Sequence, residues 1–159
     1  GLTCNTIGGG GTGTHPFETK SGIYNELQCG SYIFMDVDYL RVKMDDGSYL
    51  SDYKPSLFVY STVVSNAKPG RAICDAGLKA QSVDSGLPEI FGMANVEYVK
   101  CIDEHGVLLD PEDKLMLNDR ISLIPGHCDP TCNLHEWFVG VRNGVVESLW
   151  PITSRGKFF

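Results

Sequence analysis

The sequence has no cluster of lysines and arginines. Its 13 basic residues are scattered and outnumbered by 20 acidic ones, for a net charge of −7. Contact with nucleic-acid phosphates needs grouped cations, so composition argues against that partner. No apolar run approaches the ~20 residues that a membrane-spanning helix needs. The first residues lack the charged start and apolar centre of a signal peptide. Neither a leader nor a membrane anchor is expected. The six cysteines, at positions 4, 29, 74, 101, 128 and 132, offer no second close pair to match Cys128 and Cys132. That speaks against a zinc finger. With 159 residues, 42% of them hydrophobic, the chain has core enough for one domain without disulfide staples. Reduced thiols and a cytoplasmic location are expected.

What the chain does contain is punctuated by glycine. Gly8-Gly9-Gly10-Gly11-Thr12-Gly13-Thr14 is costly inside a regular element, because glycine loses the most backbone freedom on folding. No Gly-Lys-Ser/Thr follows, which excludes a Walker loop. The run reads either as a flexible loop or as an anion cradle of bare N–H groups with a threonine hydroxyl. Further on, Gly30-Ser31 precedes Ile33-Phe34-Met35, a short apolar run that predicts a covered strand. Residues 37–55 are polar and mark a boundary.

From Pro55 onward the pattern is strand and turn. Leu57–Ser65, Arg71–Cys74, Val96–Ile102, Ile121–Ile124, Trp137–Val141 and Val145–Trp150 are apolar, β-branched or aromatic. Asn143-Gly144 between the last two is a strong hairpin signal. Pro111–Leu117 reads as one or two helical turns. Short strands at close spacing predict a small barrel or sandwich.

Pro125-Gly126-His127-Cys128-Asp129-Pro130-Thr131-Cys132 concentrates the chemistry. In an extended segment, residues two apart face the same way. His127 and Asp129 would then share one side and Cys128 would point into packing. An imidazole beside a carboxylate suits Mn, Mg or Zn, and two protein ligands leave positions open for catalysis. On its own the pair is equally what loop hydrogen bonding looks like.

Four motifs in this order resemble one family: Gly9–Thr14, Gln28-Cys29-Gly30-Ser31-Tyr32, Asp75-Ala76-Gly77-Leu78-Lys79-Ala80 and Pro125–Thr131. Together they are similar to the C-terminal part of the D-threonine aldolase and D-serine dehydratase family. These are fold-type III pyridoxal-phosphate enzymes, alanine-racemase-like. The resemblance implies a mainly β chain. Residues 1–54 would be the last portion of a PLP-binding (β/α)8 barrel, and residues 55–159 a C-terminal β-barrel or sandwich domain carrying a metal. It implies pyridoxal 5'-phosphate held through Thr12, Gly30 and Ser31 with Tyr32 alongside, and a divalent metal on His127 and Asp129.

The family's Schiff-base lysine lies N-terminal of the glycine-rich loop, so no catalytic residue is expected in this chain and the fragment alone should be inactive. The dehydratase branch carries Cys two residues after the histidine, the aldolase branch Asp. Asp129 therefore favours cleavage of a D-3-hydroxy amino acid to glycine and an aldehyde, in a full-length homodimer. The alternatives are β-elimination of D-serine to pyruvate and ammonia, and a non-catalytic β module.

Overall fold

The computed structural model describes residues 3–157. It opens with a strand–helix–strand unit. Strand β1 (Gly8–Gly9) pairs in parallel with β2 (Glu26–Leu27), with Gly8 opposite Glu26. Helix α1 (His15–Ser21) lies between them in sequence. Pro16 stands in its first turn, where a missing N–H costs nothing, and Gly22 ends it at φ 67°. A strand, the glycine loop, a helix and a parallel strand thus follow one another in the order of a (β/α) unit.

The next expectation fails. Ile33-Phe34-Met35 is no strand. A single 3-10 turn covers Ser31–Ile33, and Met35 sits in the left-handed region at φ 53°, fully buried. Asp36 then caps helix α2 (Val37–Leu40), its Oδ1 accepting from the Tyr39 N–H at 3.0 Å. An aspartate cap directly after a left-handed residue starts a helix and ends any extended run.

The main body is a six-stranded antiparallel sheet. Its strands are β3 (Val59–Lys68), β4 (Arg71–Cys74), β5 (Glu89–Ile90), β6 (Glu97–Cys101), β7 (Gly106–Leu109) and β8 (Arg120–Ile124). Their order is β5-β8-β3-β4-β7-β6. The two end strands, β5 and β6, touch, so the sheet curls into a nearly closed barrel. Closure removes most of the exposed edge that an open sheet would present. Val63, Cys74, Leu108, Leu115 and Leu123 fill the interior with almost no exposure.

The predicted helical turns at Pro111–Leu117 are absent. Asp113 and Asn118 take positive φ, and the Asp110 carboxylate accepts from the Leu115 N–H at 2.7 Å. The segment is thus a looped strap that drops Leu115 into the barrel.

After β8 the chain forms a short helix, α3 (Cys128–Asn133), then a separate hairpin of β9 (Trp137–Arg142) and β10 (Val145–Pro151). Asn143 and Gly144, at φ 51° and 77°, make the expected tight turn. Val139, Val141, Val145, Val146 and Leu149 of this hairpin are all exposed.

Candidate functional site

Two groups of residues were expected to carry chemistry, and the fold treats them differently. The glycine loop follows the C-terminal end of β1, and Gly30-Ser31 follows that of β2. Because the strands are parallel neighbours, both loops leave from one edge. The Gln28 N–H donates to the Gly9 and Gly10 carbonyls, and the Cys29 thiol to Gly11 O at 3.5 Å. Thr12 is buried, yet its Oγ1 has no hydrogen-bond partner in the protein. A buried hydroxyl without a partner is costly. A Cβ added at Gly11 or Gly30 would meet nothing within 4 Å. Ser31 is buried and Tyr32 is exposed. A buried hydroxyl without a partner and glycine backbone open to close approach fit the chemistry of a phosphate cradle.

The second group differs from its expected conformation. His127 is extended, at φ −143° and ψ 122°, but Cys128 and Asp129 already belong to α3. The alternation of an extended segment therefore stops at His127. The helix forms because Asp129 and Pro130 both suit a first turn: a carboxylate complements the free N–H groups, and proline lacks one. Asp129 still lies near enough for its charge to act on His127. Cys128 is fully buried, as expected, and its thiol donates to Asp129 Oδ1 at 3.2 Å.

What fixes this corner was not read from the sequence. The buried Asp36 carboxylate accepts from the Cys128 N–H at 2.7 Å through Oδ2, while its other oxygen caps α2. The Val37 and Asp38 N–H groups donate to the Pro125 and Gly126 carbonyls. Asp84 Oδ2 lies 2.7 Å from His127 Nδ1, and Ser85 Oγ 3.3 Å from the same atom. Thr131 closes the ring: its hydroxyl donates to His127 O at 2.7 Å and accepts from the Ser82 N–H. Asp84 and Asp36 sit in a polar turn and at a helix cap, and nothing in their local spacing points to His127.

The charges set the state of each donor. A hydrogen bond from Ser82, then one from His127, holds Asp84 low, at about 2. Burial pushes the His127 pKa down, but the Asp84 hydrogen bond and charge, with Asp129 and Asp36, raise it above its usual value. In the neutral ring the carboxylate accepts from Nδ1–H and Nε2 keeps its lone pair, and the raised pKa means that this form is reached only at higher pH than in a free imidazole. Burial raises the Cys128 thiol and pushes Cys132 up to about 11. Both stay protonated near neutrality and are poor ligands there. Among the described residues, no group of three or more His, Cys, Asp or Glu side chains is gathered tightly enough to hold a metal. The donors available are the His127 Nε2 and the Asp129 carboxylate, a nitrogen–oxygen pair of the kind divalent ions accept. His135 is committed elsewhere, with Nε2 2.7 Å from Ala80 O.

The comparisons with known proteins agree with the motifs. The family model of the serine dehydratase domain matches residues 56–141. A 3-hydroxy-D-aspartate aldolase of Paracoccus denitrificans (strain Pd 1222) is 56% identical over 159 residues, covering 99% of this chain. A D-threonine aldolase of Arthrobacter sp is 46% identical over 158 residues, or 98% of this chain. This chain spans 41% of the length of each. The crystal structure of a D-threonine aldolase from Filomicrobium marinum superposes with a TM-score of 0.91 at 41% identity, covering 99% of this chain and 43% of that one. The matched segment spans more than half of the chain and contains both His127 and Asp129. The chain belongs to the serine dehydratase domain family and is similar over almost its whole length to the C-terminal part of D-threonine aldolases.

Proposed function

We propose that this chain is the C-terminal part of an aldolase that cleaves a D-3-hydroxy amino acid to glycine and an aldehyde, using pyridoxal phosphate and a divalent metal. In this reading residues 1–54 are barrel and carry the cofactor phosphate, and residues 55–159 carry the metal. The observation that supports it most is the corner at His127. Its Nδ1 is engaged by Asp84, which leaves Nε2 as the lone-pair nitrogen of the neutral ring, and the Asp129 charge acts on it. When bound, pyridoxal phosphate would supply an electron sink for bond cleavage, and the metal a Lewis acid for the substrate's hydroxyl.

The chain's own residues would bind and orient. Thr12 Oγ1 and the N–H groups of Gly30 and Ser31 would grip the phosphate, with Tyr32 at its side. His127 Nε2 and an Asp129 oxygen would hold the metal, and Asp84 would keep the His127 proton on Nδ1. That Asp129, an oxygen donor, stands where a thiol donor marks the dehydratase branch favours the aldolase reading. The names of the two aldolase relatives point the same way.

The test is product analysis on the full-length polypeptide with D-threonine and D-threo-3-hydroxyaspartate. Glycine and an aldehyde are expected; a 2-oxo acid with ammonia would mean elimination instead. His127→Ala and Asp129→Ala are each expected to abolish metal-dependent cleavage and to leave the pyridoxal absorbance intact. Full activity of Asp129→Ala in the presence of a chelator would refute the metal assignment.

A further inference from the structure

The mechanism leaves three residues unused that lie against the glycine loop: His15, Asp52 and Tyr53. His15 Nδ1 is 2.9 Å from the Thr12 carbonyl oxygen. A carbonyl can only accept, so Nδ1 donates and the imidazole pins the peptide that carries Thr12. The other ring nitrogen, Nε2, faces the Tyr53 hydroxyl at 3.5 Å and an Asp52 oxygen at 3.6 Å. The Tyr53 ring lies 5.4 Å from the His15 ring on one side and 5.4 Å from the Tyr32 ring on the other, tilted at 46° and 55°. Tilted aromatic pairs at this spacing attract edge to face. Tyr53 therefore links the loop that bears Thr12 to the segment Gly30–Tyr32, although the two are not continuous in sequence. The unpartnered, buried Thr12 Oγ1 is what this clamp holds in place.

We propose that His15 and Tyr53 are positioning residues that preset the phosphate cradle. They fix its two halves relative to each other, so that the backbone meets a phosphate already ordered. The inference rests on the reading of Thr12, Gly30 and Ser31 as phosphate ligands. It reaches further in assigning the order of that cradle to residues that touch neither phosphate nor ring. A preordered loop loses less freedom on binding and so binds more tightly. A glycine-rich loop, with the most freedom to lose, gains most from being held.

The experiment compares pyridoxal phosphate with unphosphorylated pyridoxal as ligands of the full-length apoprotein, read from their near-ultraviolet absorbance. His15→Ala should weaken pyridoxal phosphate about tenfold, the scale of the one hydrogen bond that holds the Thr12 peptide, and leave pyridoxal unchanged. His15→Asn, which keeps a donor near the Nδ1 position, should recover most of the loss. Tyr53→Phe keeps the ring and loses only the hydroxyl, so a loss of about threefold is expected, again for the phosphate form only. Should His15→Ala fold poorly, the Tyr53→Phe and His15→Asn pair still decides. Equal weakening of both ligands, or no weakening in any variant, overturns the proposal. A wild-type protein with no preference for the phosphorylated ligand would instead sink the phosphate assignment itself.

Discussion

Gly126→Ala should be severely damaging, costing about 3 kcal/mol of stability or more. A Cβ at Gly126 would land on the carbonyl oxygen of Gly86, with the carbonyl carbons of Gly86 and Leu87 behind it. These are backbone atoms, and no flexible side chain can yield. Gly126 sits between Pro125 and His127, both bonded into the corner that joins α2, α3 and the loop 82–86. Separating Gly126 from Gly86 would also pull His127 from Asp84. The denaturation midpoint and the affinity for divalent metal should therefore fall together. Gly11→Ala is the control, since a Cβ there meets nothing within 4 Å. A Gly126→Ala protein with the wild-type midpoint would show that the two backbones can separate at no cost.

Asp84→Ala should weaken metal binding about 10–100-fold, the usual effect of removing the carboxylate behind a ligating histidine. Asp84 would never touch the ion. Its 2.7 Å contact holds the His127 proton on Nδ1 and aims Nε2. Its loss frees the ring to rotate and to exchange tautomers. Titration with Mn and with Zn at alkaline pH, where protons do not compete for the imidazole, isolates this orienting effect. Folding should be spared, because Asp84 is half exposed and its other hydrogen bonds are local. An unchanged affinity would mean that His127 is oriented without Asp84, or is not the ligand.

Barrel strands β3, β4, β6 and β8 and the final hairpin were legible because their apolar residues are β-branched or aromatic and bounded by Gly, Pro or Asn-Gly turns; the short strands β5 and β7 were not read. Val96–Ile102 and the final hairpin are the clearest cases. Ile33-Phe34-Met35 was misread because a three-residue apolar run has no period, and the left-handed Met35 decides its shape. Helix α3 was missed because six residues with two cysteines and a proline carry no amphipathic stripe. The metal candidates and the phosphate candidates could be named from motif order. Their supports could not: Asp84 is 43 residues from His127, Asp36 is 92 from Cys128, and Tyr53 is 38 from His15. Such partners are created by the fold, and no local spacing announces them.

Both tryptophans of the chain, Trp137 and Trp150, stand on the β9–β10 hairpin, opposite Pro151 and Phe138 respectively. The barrel has none; its aromatic residues include Tyr60 and Tyr98. Emission excited selectively at tryptophan therefore reports on the hairpin, while far-ultraviolet circular dichroism is dominated by the barrel. A two-stranded hairpin is marginal by itself in water. On denaturation the tryptophan signal should change at lower denaturant than the dichroism, unless the hairpin's apolar side chains are covered. The gap between the two curves thus becomes an optical gauge of whether anything is seated on that hairpin.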